Sequence, residues 1–259
     1  MDLTIIIPAY NEESAIQAGK LDLVIDWVKE FSGSCEVLVV DDGSLDCTAS
    51  CAAKEGVRVI TVPHRGKAGA IVSGFQQASG DVLLFTDMDQ ATPIGEAALL
   101  LNEIKKGADI AVGSRGMVRQ GAPLSRYLMS WAQIALRGLL LGLQMTDTQC
   151  GFKAFRRLAA LEILEKLRVY HPDHQGIIQG PSVTSGFDVE LLFVGKRLGY
   201  CINEIPVQWN YQQSRRVSLR RDALRGLQDL LRIVAVDLRG EYPRVKGDCS
   251  ASAANKPIH

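Results

Sequence analysis

The chain has 259 residues, 47% hydrophobic and 22% charged, enough to bury a sizeable core in one large α/β domain or two small ones. Its 29 basic residues balance 29 acidic ones, so no global charge recommends nucleic acid as a partner. The six cysteines, at 35, 47, 51, 150, 201 and 249, form neither a CxxC pair nor a Cys/His set with zinc spacing, which argues against a zinc module and for a reducing compartment.

Met1-Asp2 leads straight into the apolar run 3 to 7, too short and without the basic lead of a signal peptide. No later run reaches the roughly 18 apolar residues of a membrane helix. The expectation is a cytoplasmic protein that does not cross a membrane. Residues 3 to 7 read as a β-branched strand stopped by Pro8. Residues 12 to 31 carry Ile16, Leu21, Val24, Ile25, Val28 and Phe31 at roughly helical spacing. Residues 36 to 40 repeat the pattern, end in Asp41-Asp42-Gly43-Ser44 and enter a helix through about Lys54. A third strand, 57 to 62, runs into His64-Arg65-Gly66-Lys67 and a helix from about 67 to 78. Next comes Val82-Leu83-Leu84-Phe85-Thr86-Asp87-Met88-Asp89-Gln90, which reads as a buried strand with two carboxylates at its tip, then a helix after Pro93 and a fifth strand at 109 to 112.

The second half has a looser rhythm. A helix is expected from about Leu124 to Leu141, a short strand after Lys153, and a helix at about 157 to 167. The stretch 168 to 185, with Pro172, Gly176, Gly180 and Pro181, reads as a loop containing His171 and His174. A helix follows from Gly186 to Leu198, then short strands at 201 to 205 and 207 to 211 around Pro206, and a long basic helix at 219 to 239.

Strands alternating with helices at this spacing imply βαβ units, right-handed crossovers and a largely parallel sheet. Ligands of such sheets bind outside the C-terminal strand ends. Five polar strand ends qualify: Pro8-Ala9-Tyr10-Asn11-Glu12, Asp41-Asp42-Gly43-Ser44, Arg65-Gly66-Lys67, Asp87-Met88-Asp89 and Gly113-Ser114-Arg115. If Asp87 and Asp89 extend a strand, they share a face and can converge on one divalent cation; the same pair also suits a strand cap opening a turn. Asp41 and Asp42 suit ribose hydroxyls or base N–H groups, or an Asx turn before Gly43. Two carboxylates, a metal and several cations together suit a nucleotide diphosphate. Neither a dinucleotide fingerprint nor a P-loop is present, because Gly66-Lys67-Ala68 lacks the upstream Gly and the following Ser or Thr.

These strand-end motifs resemble, in order, those of family 2 glycosyltransferases with the GT-A fold, a single α/β domain with a mixed, mostly parallel sheet flanked by helices. Arg65-Gly66-Lys67-Ala68-Gly69-Ala70, Asp147-Thr148-Gln149-Cys150-Gly151-Phe152-Lys153 and Phe187-Asp188-Val189-Glu190-Leu191 resemble the dolichyl-phosphate glucosyltransferase and polyprenyl-phosphate mannose synthase branch. The resemblance spans about residues 3 to 235. It implies one domain over 1–245, with a nucleotide-binding half at about 1–115 and an acceptor half at about 116–245; the tail 246–259 is expected to be disordered. It further implies that Pro8, Ala9, Tyr10, Asn11, Glu12, Asp41 and Asp42 surround base and ribose, with Lys67 and Met88 also lining the donor site. Asp87 and Asp89 would hold Mg²⁺ or Mn²⁺ on the diphosphate. Arg115 and Arg126 would bind phosphates, so that Asp87, Asp89, Lys67, Arg115 and Arg126 form the catalytic set.

The expected activity is metal-dependent inverting transfer of a hexose from UDP-glucose or GDP-mannose to a polyprenyl or dolichyl phosphate. Asp188 and Glu190 are read as orienting or structural carboxylates, with a base for a hydroxyl acceptor as the other role. The basic segment 213 to 246, including Arg215, Arg216, Arg225, Arg232 and Arg239, is expected to pack its leucines on the domain and turn arginines to an anionic membrane surface. Three rival readings differ in what they require. A transferase using a soluble or protein-linked hydroxyl would be told apart by acceptor competition. A glycoside hydrolase would need neither metal nor nucleotide donor, and a catalytically silent nucleotide-sugar binder would have less need of the aspartate pair.

Overall fold

The computed structural model describes residues 1–116, 124–171, 176, 185–210 and 219–243, with the backbone alone described at 124–131, 185 and 219–223. Seven strands form one sheet: β1 (Leu3–Ala9), β2 (Cys35–Asp41), β3 (Val57–Thr61), β4 (Val82–Phe85), β5 (Ile110–Ser114), β6 (Lys153–Arg156) and β7 (Ile202–Pro206), in the order β3-β2-β1-β4-β6-β5-β7. Every pairing is parallel except those of β6, which runs antiparallel to both β4 and β5. Connecting them are α1 (Glu13–Gln17), α2 (Lys20–Glu30), α3 (Thr48–Ala52), α4 (Gly66–Gln77), a 3-10 turn at Ile94–Glu96, α5 (Ala97–Lys105), α6 (Leu124–Leu141), α7 (Arg157–Lys166), α8 (Ser185–Arg197) and α9 (Leu219–Leu238).

The two-residue period of the strands sorts their side chains into two cores. Ile5, Ile7, Val37, Val39 and Leu84 face α2 and α5. Ile6, Leu38, Val40, Leu83 and Phe85 face α4, α7 and α8. With apolar residues on both faces, β1, β2 and β4 read as continuous hydrophobic runs, as interior parallel strands do. Gly74 brings α4 close: a Cβ there would stand 2.5 Å from Ile6 Cγ2.

Strand order reverses at β1, which pairs with β2 on one side and β4 on the other. The crevice of an open sheet lies at such a switch point. Pro8 does not stop the first strand, which continues through Ala9. Instead it ends the ladder toward β4, where the last bond is Thr86 N–H to Ile6 O, at 3.1 Å. Having no N–H, Pro8 cannot extend the ladder on that side. The chain after Phe85 therefore leaves the sheet.

This corrects the reading of 82 to 90 as one strand. Asp87 and Asp89 stand in a turn closed by Gln90 N–H to Asp87 O, at 3.2 Å, with Gln90 at φ 52°. Their approach comes from that turn and not from strand alternation. The helix expected over 12 to 31 is two helices, broken where Gly19 takes φ 80°, a left-handed conformation that glycine adopts without steric cost. The strand expected at 207 to 211 is absent at 207–210, which run as an extended strap: Val207 N–H binds Ser114 O at 3.0 Å and Asn210 N–H binds Ala91 O at 2.7 Å. The tail 246–259, most of the 168–185 loop including His174, Arg215, Arg216 and the side chain of Arg126 lie outside the described residues.

Candidate active site

The parallel strands β1, β2, β3, β4, β5 and β7 finish at one edge of the sheet, and antiparallel β6 begins there, so seven strand ends distant in sequence line up along one edge. A small cleft of about 50 Å³ opens at this edge, lined by Thr86, Asp87, Ala91 and Thr92 from the turn after β4, Arg115 after β5, Gln149, Cys150 and Gly151 before β6, and Trp209 from the strap after β7.

Asp87 is the hub. Its Oδ1 accepts a hydrogen bond from Lys67 Nζ, and both side chains remain partly exposed, at 42% and 35% respectively. Oδ2 lies against Gly151, where a Cβ would come within 2.1 Å of it. Burial opposes the charge on Lys67, but Asp87 and Asp188 outweigh it and push its pKa above the ordinary lysine value. Asp89 accepts Ala91 N–H at 2.9 Å through Oδ1, so it also caps the turn. Burial, reinforced by the charge of Asp87, pushes the Asp89 carboxyl up despite the Ala91 bond and Lys67. Met88, expected in the donor site, turns its side chain into the apolar core that includes Leu84 and Ile94.

Arg115 is held by Asp147 through three bonds: backbone N–H at 3.2 Å, Nε at 2.6 Å and Nη2 at 2.8 Å. Burial opposes ionisation of Asp147, yet the Arg115 guanidinium wins and holds its carboxyl below the usual carboxylate range. Asp147 is in turn fixed by its own N–H to Glu204 on β7, at 2.8 Å. The guanidinium lies 5.8 Å from the ring centre of Trp209, and both line the cleft together with Asp87.

A second cluster forms where β1, β2 and β3 end. Asn11, at φ 53°, donates its N–H to Ser44 Oγ at 2.9 Å and accepts Leu45 N–H at 2.8 Å; Glu12 N–H binds Thr48 Oγ1 at 2.8 Å. Asp41 Oδ1 accepts Ser44 N–H at 3.2 Å, the Asx-type arrangement foreseen as one alternative. Asp42 is committed to the β3–α4 turn: Oδ2 meets His64 Nδ1 at 2.7 Å and Oδ1 accepts Arg65 N–H at 2.9 Å. Burial pushes the Asp42 carboxyl up, although these bonds pull the other way. The His64 ring stacks on Tyr10, centroids 3.9 Å apart and planes within 6°.

Beneath the cleft, Lys153 is fully buried, with Nζ 2.5 Å from both Asp188 Oδ1 and Cys150 O and 5.1 Å from the Phe85 ring centre. It thereby fixes the turn that carries Gly151. Glu190 is also fully buried and accepts the N–H groups of Arg168, Val169 and Tyr170 at 2.7, 2.7 and 2.8 Å, plus the Tyr242 hydroxyl at 2.5 Å. That is a structural carboxylate pinning the entry of the 168–185 loop.

Of the residues expected at the site, the fold brings Asp87, Asp89, Lys67 and Arg115 together, and sets Tyr10 to Glu12 with Asp41 and Asp42 in a neighbouring cluster. Pattern reading missed His64, Gly151 and Trp209. Gly151 and His64 both adjoin motifs already singled out. Trp209 was masked by its assignment to a strand.

The chain matches the family model described as "Glycosyl transferase family 2" over residues 4–164. It is 32% identical over 268 residues to a protein named dolichyl-phosphate beta-glucosyltransferase from Saccharomyces cerevisiae, covering 93% of this chain and 76% of that one. The protein of the same name from Homo sapiens is 32% identical over 230 residues, covering 80% and 67%. Among solved structures, glucosyl-3-phosphoglycerate synthase from Mycobacterium tuberculosis, in complex with Mn²⁺, UDP and glucosyl-3-phosphoglycerate, superposes with TM-score 0.64 over 90% of this chain and 80% of that one, at 23% identity. With the family model covering more than half of the chain and the sheet built as in these structures, the chain belongs to glycosyl transferase family 2 and is a glycosyltransferase of the GT-A fold.

Proposed function

We propose that this chain transfers a hexose, with inversion, from a nucleotide-diphosphate sugar to a polyprenyl or dolichyl phosphate, UDP-glucose being the favoured donor. The observation that carries the reading is the grouping of Asp87, Lys67 and Arg115 around one cleft at the sheet's switch point. The names of the yeast and human relatives support the acceptor and the glucosyl group. Tyr10, backed by His64, and the Asn11–Asp41 cluster, at the ends of the neighbouring strands, would take the nucleoside.

The donor set fits a divalent cation. Asp87 and Asp89 offer hard carboxylate oxygens of the kind Mg²⁺ and Mn²⁺ prefer, with the diphosphate to complete the shell. A cation held there would act as a Lewis acid, stabilising the departing nucleotide diphosphate. Lys67 and Arg115 add positive charge beside Asp87 and the cleft, and Asp147 orients Arg115 in advance. Arg115 and Trp209 together position the donor. A phosphate monoester, with its second pKa near roughly 6, is already mostly ionised at neutral pH and hardly needs a base. Asp188, the available candidate for one, is bonded to buried Lys153, which favours a phosphate over a hydroxyl acceptor.

The acceptor lipid would be met at α9. Only part of its apolar surface packs inward, through Leu230, Ile233 and Val236; Leu224, Leu227, Leu231 and Leu238 are exposed, beside exposed Arg225, Arg232 and Arg239. This departs from the expectation that the leucines all face the domain. It suits an interfacial helix with leucines at the acyl boundary and arginines at anionic head groups. No helix among the described residues is long and apolar enough to cross a membrane.

The test is incubation with dolichyl phosphate and a panel of UDP- and GDP-sugars with Mg²⁺ or Mn²⁺, reading lipid-linked product. The expected result is glucosyl transfer from UDP-glucose that chelator abolishes and that Asp89→Ala loses while keeping its melting temperature. Product only on a soluble hydroxyl acceptor would overturn the acceptor assignment. Sedimentation with phosphatidylserine vesicles at low salt checks α9, and no binding there refutes the membrane contact.

A further inference from the structure

Asp87 is partly exposed, and its carboxylate is crowded on both sides. Oδ1 is bonded to the Lys67 ammonium, and Oδ2 is pressed against Gly151. A cation drawn to Asp87 therefore meets the Lys67 ammonium already bonded there, a like charge at short range. The two aspartates are also few: among the described residues no group of three or more His, Cys, Asp or Glu could hold a metal ion, whereas hard divalent ions take six or more oxygens. Lys67 stands at the second residue of α4, on a flexible four-carbon stem beside the cleft, and the negative charge of Asp188 also reaches it. If the ammonium is displaced by a dication alone, it faces a larger like charge at short range. If a diphosphate arrives with the dication, the ammonium gains phosphate oxygens in place of the carboxylate it leaves.

We propose that Lys67 competes with the divalent cation for Asp87, and that the donor's diphosphate relieves this competition by drawing Lys67 onto itself, so that cation and nucleotide diphosphate bind as a coupled pair. The same lysine thus disfavours a metal without donor and grips the donor once the metal is in place. By linkage, the factor by which the nucleotide tightens cation binding equals the factor by which the cation tightens nucleotide binding. This rests on Asp87 and Asp89 as the cation's carboxylates.

The experiment is titration of the full chain with Mn²⁺, with and without UDP, reading free Mn²⁺ by electron paramagnetic resonance. Wild type, Lys67→Met, Lys67→Gln and Asp89→Ala are compared, each checked for folding by thermal melt. Lys67→Met should bind Mn²⁺ alone at least fivefold more tightly than wild type and gain less from UDP than wild type does. Lys67→Gln, which keeps a polar end, should move the same way and decides the matter if the Met variant is unfolded. If folded Lys67 variants bind Mn²⁺ alone no more tightly than wild type, while Asp89→Ala abolishes binding, the competition is refuted and the carboxylate site stands. If wild type with UDP retains no more Mn²⁺ than Asp89→Ala does, the metal reading falls and the competition with it.

Discussion

Gly151→Ala isolates the geometry on which the active-site reading depends. The added Cβ would lie 2.1 Å from Asp87 Oδ2, 2.7 Å from Cγ and 2.9 Å from Oδ1, so it meets the whole carboxylate rather than one edge. Opening the shortest contact to the 3.0 Å that real Cβ atoms respect moves the carboxylate by about 0.9 Å. Gly151 itself cannot retreat freely, because Lys153 holds the preceding carbonyl, Cys150 O, from a buried position. Because the group met is the end of a partly exposed side chain, which can swing aside, the stability cost is expected to be small, within about 1 kcal/mol. The larger effect should fall on rate, since a displacement near 1 Å at a positioned group costs about 100-fold. Steady-state transfer and thermal melting, measured on the same preparations, check both numbers. A Gly151→Ala enzyme with wild-type kcat/KM would refute the placement of Asp87 at the reacting centre. A variant losing rate only in proportion to its unfolded fraction would refute the positional argument.

Asp147→Asn should lower stability by about 2–3 kcal/mol at pH 7, because it leaves the Arg115 guanidinium without its charged partner. The folded pKa of Asp147 is depressed, so its contribution is present above the ordinary value of about 3.9 and lost as pH falls through the lower folded value. Urea melts at pH 7 and pH 3 should show the difference from wild type shrinking in acid, and a constant difference sinks the linkage. Glu190→Gln puts an amide where four donors converge and should cost about 2–4 kcal/mol, lowering Tm by about 5–15 °C; a Tm within 2 °C of wild type, a threshold of roughly 1 kcal/mol, speaks against the pin. His64→Ala removes the ring behind Tyr10, worth about 0.5–1.5 kcal/mol, and should raise the donor KM by about 2–12-fold with kcat nearly unchanged. A fall in kcat at constant KM would place His64 elsewhere in the reaction.

Much of this site was legible before folding was considered. Strand ends announce themselves as apolar runs stopped by polar residues, and each of the five segments so marked lies at the crevice edge of the sheet. What pattern reading got wrong was local and had local causes. Proline in a strand reads as a stop because it ends ladders, but at Pro8 only the side facing β4 lacks its N–H, and the pairing with β2 continues to Ala9. The aspartate pair was given strand geometry because the apolar run is continuous with it. For Asp42, open between a ligand carboxylate and an Asx turn, the fold adds His64 and Arg65, more than twenty residues on, as hydrogen-bond partners of its two oxygens.

The alternation of strands and helices, the acidic and basic character of the strand ends, and the family pattern are all written in short stretches of chain, and so are legible without the fold. The tertiary structure decided which distant groups meet. The reversal of β6 sets Gly151 against Asp87 at the rim, and Glu204 on β7 fixes the turn through which Asp147 aims Arg115. It also placed Lys67 on Asp87. None of these pairings has a period or a spacing, since each is made by strands far apart in the chain that the sheet order brings side by side.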